Sequence, residues 1–209
     1  RIILFHTIQA PAPSFPIFGS ITPHERLEIE LEERKEFLDQ LEAVKTRLQY
    51  NNPDSHVIYD THVRHGFAKD TIPAVIRQEH VDLVIIGNET ANSLKEVFVG
   101  TVAADIISKS SCPVLIIPQL TTFKPLRKIV FASDLRHAPF TDLGFSLRLA
   151  ELFNAEIMLL HILTADIPEA REIAFDELSK FYRSVPYKIV SLHVETSPYI
   201  EEGISNFIR

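Results

Sequence analysis

Two groups of residues have types and spacing that could do chemistry. The first is GNETANSLKEVFVGT, Gly87 to Thr101, directly after the apolar run VDLVIIG. A strand, a glycine turn and a helix start form an anion site. The first amides of a helix lack intrahelical partners, and the helix dipole is positive there. Gly87 would permit a sharp exit from the strand. Gly100 would let backbone approach a ligand, with the amides of Thr101 and Val102 facing it. Thr90 brings a β-carbon into the loop and restricts positive φ. Glu89, where it faces inward, opposes a polyphosphate. The second group is the histidines. Asp60, His62 and His65 lie close together, and His193 with Glu195 echoes them. His6, His62, His161 and His193 fall at the carboxyl ends of predicted strands, where open α/β sheets hold their ligands.

These histidines read mainly as hydrogen-bonding strand-end residues. Alternation puts His62 and His65 on opposite faces of a strand. No cysteine pair or HExxH pattern accompanies them. His62, His65 and His193 are the candidates for a metal. Ser133, Asp134 and His137 are neighbours, but no nucleophile elbow or fixed base goes with them, so no catalytic residue is assigned. Cys112, before a proline, reads as a small packed residue.

Holding such residues requires strands alternating with helices. Ile2 to Phe5 is a short apolar strand. A proline-bearing loop follows, and then a long helix from Thr22 to Tyr50. Thr22 is its N-cap, Pro23 its first residue and Glu25 the capping-box partner. Leu27, Leu31, Leu38, Leu41, Val44 and Leu48 recur at helical spacing. Strands are expected at Ser55 to Val63, Val81 to Ile86 and Cys112 to Pro118. Helices are expected at Thr71 to Gln78 and around Val102 to Ile107. Gln119 to Leu126 reads as a linker. The pattern then restarts with strands at Lys128 to Ala132, Glu156 to Ile162 and Tyr187 to Val194. Its helices are Phe140 to Phe153, Glu169 to Arg183 and Pro198 to Ile208.

Composition bounds the function. The chain has 209 residues, 45% hydrophobic and 23% charged, as in an ordinary globular protein. A net charge of -7 argues against nucleic acid and anionic membranes as partners. No apolar run approaches the ~18 residues of a membrane span. A single cysteine fits a reducing compartment, so a cytoplasmic location is expected. RIILFHTI starts inside an apolar run and SNFIR stops at a helix-like end, which suggests a piece of a longer protein.

Two segments recur in order. IILFHTI (2–8) resembles IMLLHIL (157–163), aligning His6 with His161. VIYDTHV (57–63) resembles KIVSLHV (188–194), aligning His62 with His193. IPAVIR and ISNFIR follow loosely.

At this point the chain resembles a tandem universal stress protein. The segments that carry the resemblance are KIVFASDLRHAPFTDLGFSLRLAELFNAEIMLLHIL and DLVIIGNETANSLKEVFVGTVAADIISKSSCPVLIIP. The resemblance implies a Rossmann-like α/β fold, an open parallel sheet with helices on both faces, repeated twice. It implies a first domain over 1–120 lacking its first strand and helix, a linker over 121–126, and a second domain over 127–209 lacking its closing strand–loop–helix–strand unit. It implies a pseudo-dimer of the two domains, or a homodimer, often joined through the last strand, here Val114 to Ile117. ATP-binding members resemble Gly-x2-Gly-x9-Gly-Ser/Thr. Gly87, Gly100 and Thr101 match that pattern, and Thr90 replaces its second glycine. Asp134 matches the family's acidic residue after the first strand, which contacts base or ribose. The expected function is a stress-response binding or regulatory module with weak or lost binding of ATP or another adenine nucleotide. Two alternatives stand beside it: an ATP-binding, slowly hydrolysing switch, and a metal-binding member using strand-end histidines.

Overall fold

A computed structural model describes residues 1–9, 22–54, 56–88, 100–119, 121–135 and 140–209. Its elements in chain order are β1 (Ile2–Ile8), α1 (Pro23–Asn51), β2 (Tyr59–His65), α2 (Ala68–Gln78), β3 (Val84–Asn88), α3 (Thr101–Lys109), β4 (Val114–Pro118), β5 (Lys128–Ala132), α4 (Phe140–Phe153), β6 (Glu156–Leu163), α5 (Pro168–Ser184), β7 (Val190–Thr196) and α6 (Ile200–Phe207). The class is α/β, with parallel pairing of β1 with β2, β5 with β6 and β6 with β7. The described residues form two compact units, one reaching residue 117 and the other starting at Pro118.

The expected elements are present, with shifted ends. β1 runs three residues past Phe5, because pairing with β2 continues to Ile8 and His65. β2 starts at Tyr59 rather than Ser55, and β7 at Val190 rather than Tyr187. The Tyr187 hydroxyl instead bonds Ala155 O at 2.6 Å, away from any ladder.

α1 begins as its sequence predicts. Thr22 Oγ1 accepts from the Glu25 amide at 3.3 Å, and Glu25 Oε2 accepts from the Thr22 amide at 2.7 Å, closing a capping box. The expected leucine stripe is only half used. Leu38, Leu41, Val44 and Leu48 are half-buried, while Leu27 and Leu31 are exposed. The C-terminal half of α1 covers β1 and β2, where the Phe37 ring stacks on His6 at 4.0 Å. A helix of 29 residues is about 44 Å long, roughly twice the length of a seven-residue strand, so it cannot bury its whole stripe on that pair.

α2 and α4 end alike. His80 (φ 50) and Asn154 (φ 51) take left-handed conformations just past the helices. The next amides, Val81 N and Ala155 N, reach back five residues to Ile76 O and Ala150 O. This is the Schellman closure, which satisfies terminal carbonyls and turns the chain toward the following strand.

The two recurring segments occupy matching places. His6 pairs with Val63 across β1 and β2, and His161 with Val194 across β6 and β7. Gly66 N donates to Ile8 O, and Ser197 N donates to Leu163 O, each at 2.9 Å. The helix after each second strand then approaches closely. A β-carbon on Gly66 would meet Thr71 Cγ2 at 2.7 Å, and one on Gly203 would meet Ser197 Cβ at 2.9 Å. Each contact thus has one glycine, on the turn in one unit and on the helix in the other.

The units differ in their sheets. In the second, β6 lies between β5 and β7. Leu143, Ala150, Ile157, Leu159 and Leu178 are fully buried around it. In the first, β1–β2 and β3–β4 are separate two-stranded sheets among the described residues, where one open sheet was expected. The place that β5 takes beside β6 has no described strand beside β1.

Candidate functional site

α3 supplies the first half of the candidate nucleotide site. Ala103 and Ile106 are buried and anchor the helix, and Lys109 Nζ reaches Asp70 Oδ1 of α2 at 3.4 Å. Its N-cap is Gly100 (φ -58, ψ 153), with no side-chain capping bond. Intrahelical bonding starts with Ala104 N to Gly100 O at 2.9 Å. The amides of Thr101 and Val102 therefore open onto the helix start, and Thr101 is exposed while Val102 is half exposed. This is the arrangement that attracts an anion.

Gly87 departs from expectation. It lies inside β3 rather than at an exit turn, its φ is not positive, and among the described residues no atom beyond its chain neighbours comes within 4 Å of where its β-carbon would be. Among the described residues, nothing at this position requires a glycine. Thr90 and Glu89 lie outside the described residues, as does His137.

Asp134 belongs to the other unit, at the carboxyl end of β5. Its neighbours are fixed. Ser133 N donates to Leu160 O at 3.0 Å, which continues the β5–β6 ladder. Ser133 O is bonded by His161 Nδ1 at 2.8 Å. A carbonyl only accepts, so the proton lies on Nδ1 and leaves Nε2 as the second functional atom. The Leu135 amide donates to Ser133 Oγ at 3.1 Å, and Leu135 sits at φ 62 while packing on the core. An aliphatic residue in the left-handed region is held there only by its surroundings. Asp134 is thus presented, exposed, between two immobilised residues.

The histidines serve separate neighbourhoods. His62 is half-buried on β2 beside Asp60, whose carboxyl is held below its usual range mainly by the hydrogen bond from the Arg1 guanidinium. His65 is exposed at the strand's end, on the face opposite His62. His193 Nε2 lies 2.9 Å from Ser191 Oγ, which also lies 2.6 Å from Glu156 Oε1. The hydroxyl has one proton and an ionised carboxylate only accepts. The proton therefore goes to Glu156, and His193 donates to Ser191. The serine is tied down and lacks the free base a nucleophile needs. This Glu156–Ser191–His193 chain was not foreseen. Its only sequence signal is the two-residue spacing of Ser191 and His193, which puts both on one strand face. Among the described residues, no three His, Cys, Asp or Glu side chains come together to hold a metal.

Comparison with known proteins adds three findings. Residues 2–118, more than half of the chain, match the family model described as "Universal stress protein family". A curated relative, "Universal stress protein E homolog" of Haemophilus influenzae, is 40% identical over 55 residues, covering 26% of this chain and 18% of the relative. A solved universal stress protein from Archaeoglobus fulgidus DSM 4304 superposes with a TM-score of 0.57 at 16% identity, covering 94% of this chain and 67% of that one. A second solved structure, from Pseudomonas aeruginosa UCBPP-PA14, gives 0.54 at 16% identity, covering 95% and 74%. At such identity the two structures establish the fold.

Proposed function

We infer the role of this chain from two facts: it belongs to the universal stress protein family, and its candidate nucleotide residues are divided between two compact units. On this reading it is a binding or regulatory module of the stress response, with weak or lost affinity for adenine nucleotide. It is built of two tandem domains that act as a pseudo-dimer in the cytoplasm. The division carries the reading. Gly100 and the open amides of α3 stand in one unit, and Asp134 stands in the other. That no described residue requires a glycine at Gly87 supports weakness, as does Thr90 in the loop sequence. The matched registers of β1–β2 and β6–β7 support the tandem reading.

The second reading, an ATP-driven switch, is favoured by the uncapped start of α3. Calorimetry with Mg-ATP separates the two. Millimolar or undetectable affinity is expected. Micromolar binding that disappears in Asp134→Ala would overturn the first reading in favour of the second. The metal reading finds no grouped ligands among the described residues. Likewise no described helix is long and apolar enough to cross a membrane.

A further inference from the structure

His161 shares a strand face with Ile157 and Leu159, which are fully buried, yet it is only half-buried itself. The covered face therefore opens at the carboxyl end of β6, where open α/β sheets hold their ligands. Ala132 pairs with Leu160, so His161 comes beside Ser133. Each polar atom of Ser133 is held: the amide by Leu160 O at 3.0 Å, the carbonyl by His161 Nδ1 at 2.8 Å and the hydroxyl by the Leu135 amide at 3.1 Å. Of these three bonds, only the one from His161 comes from a side chain outside the turn. The oxygen it holds belongs to the trans peptide that leads into Asp134.

The other ring nitrogen is left for a ligand. With the Nδ1 proton committed to Ser133 O, Nε2 of the neutral ring carries the lone pair. Among the described residues Nε2 has no hydrogen-bond partner, and no side-chain polar atom is buried without one, so Nε2 reaches solvent. The Asp134 carboxylate, one residue past Ser133, is exposed as well. Both groups accept hydrogen bonds and neither donates.

We propose that His161 has two roles at this strand end: through Nδ1 it positions the turn that carries Asp134, and through Nε2 it accepts a hydrogen bond from a hydroxyl or amino group of a bound ligand. Two acceptors side by side select a ligand group that donates. The nucleoside part of an adenine nucleotide is of that class, since its ribose hydroxyls and its amino group are all donors. The proposal rests on the nucleotide reading of Asp134 and adds a second contact atom to it.

Nuclear magnetic resonance of the isotope-labelled full chain tests it, with adenosine as the probe. Without ligand and above the titration range of histidine, long-range proton–nitrogen spectra should show His161 protonated at Nδ1 and bare at Nε2; the opposite tautomer overturns the proposal. Millimolar adenosine should move the Nε2 resonance together with the Asp134 amide. His161→Asn keeps a donor where Nδ1 stands and puts nothing in the place of Nε2. It should leave the Asp134 amide near its parent position and weaken adenosine about tenfold, as one lost hydrogen bond would. His161→Leu has neither atom and should displace the Asp134 amide as well. If His161→Leu does not fold, His161→Gln replaces it, since its amide reaches the Nε2 position instead of Nδ1. An Asp134 amide displaced as far in His161→Asn as in that second variant removes the positioning role. Adenosine that moves the Asp134 amide, but neither moves Nε2 nor weakens in His161→Asn, overturns the contact and leaves the nucleotide reading intact. Adenosine that moves neither residue overturns the contact together with the role of Asp134 in binding.

Discussion

The close seat of α6 on β6 makes a quantitative prediction. A β-carbon on Gly203 would lie 2.9 Å from both Ile162 Cγ2 and Ser197 Cβ, and 3.1 Å from Ile162 Cδ1. The Ile162 branches are side-chain ends and can turn. Ser197 Cβ is one bond from the backbone, and Ser197 N is held by Leu163 O at 2.9 Å. It cannot yield without moving the strand end. Overpacking of this kind costs about 1–3 kcal/mol. Replacing a mid-helix glycine with alanine returns ~1 kcal/mol of helix propensity. Gly203→Ala should therefore destabilise by roughly 0–2 kcal/mol net. The partner change Ser197→Gly removes the obstructing carbon and the hydroxyl bond to Tyr199 O, costing ~1 kcal/mol alone. Together the two changes place glycine on the turn and the larger residue on the helix, as Gly66 and Thr71 do in the other unit. The pair should cost less than the sum by ~1 kcal/mol, a coupling that a double-mutant cycle in urea resolves. Strict additivity, or a Gly203→Ala variant more stable than the parent, would refute the close seat.

Two further outcomes follow from local geometry. His80→Gly should stabilise the first unit by ~1 kcal/mol, since a left-handed position past a helix costs a side chain that much; an unchanged urea midpoint would count against the closure drawn for α2. The Glu25 carboxyl is held below its usual range, first by the Thr22 amide and then by the Thr22 hydroxyl. A lowered folded value means the stabilisation is complete above the unfolded pKa and is lost as pH falls through the folded one. Acidification from about pH 5 should therefore erode α1 helicity more steeply in the parent than in Glu25→Gln; parallel acid curves by circular dichroism would remove the capping box from the explanation.

The start of α1 was legible because each part is local. Thr22, Pro23 and Glu25 bond among themselves, and no distant residue decides the outcome. The parallel strands were legible for a related reason, since runs such as IMLLHIL are apolar on both faces, as a covered parallel strand requires. What stayed hidden depends on register. Glu156 meets Ser191, and Arg171 meets Val194, only because β6 and β7 pair with Ile157 opposite Val190. Sliding that pairing by one residue would turn each side chain to the opposite face. Gly87 misled for a different reason. A glycine after an apolar run marks a turn only when the strand ends there, and β3 continues to Asn88.

The strand-end histidines show how matching register positions come to hold different contacts. His6 and His161 hold aligned positions and have aligned strand partners, Val63 and Val194. Their side chains do not share a role. His6 lies flat against Phe37 of α1 at 4.0 Å. His161 instead donates to Ser133 O, and so fixes the turn that presents Asp134. The register determines where each ring begins, and the neighbouring element determines what the ring can do. An aromatic side chain set over His161 as Phe37 is set over His6 would compete for the ring and for its bond to Ser133 O. The turn before Asp134 would then lose the bond that holds Ser133 O. The second unit thus leaves the His161 ring to its bond with Ser133 O, whereas α1 in the first uses the aligned position for packing.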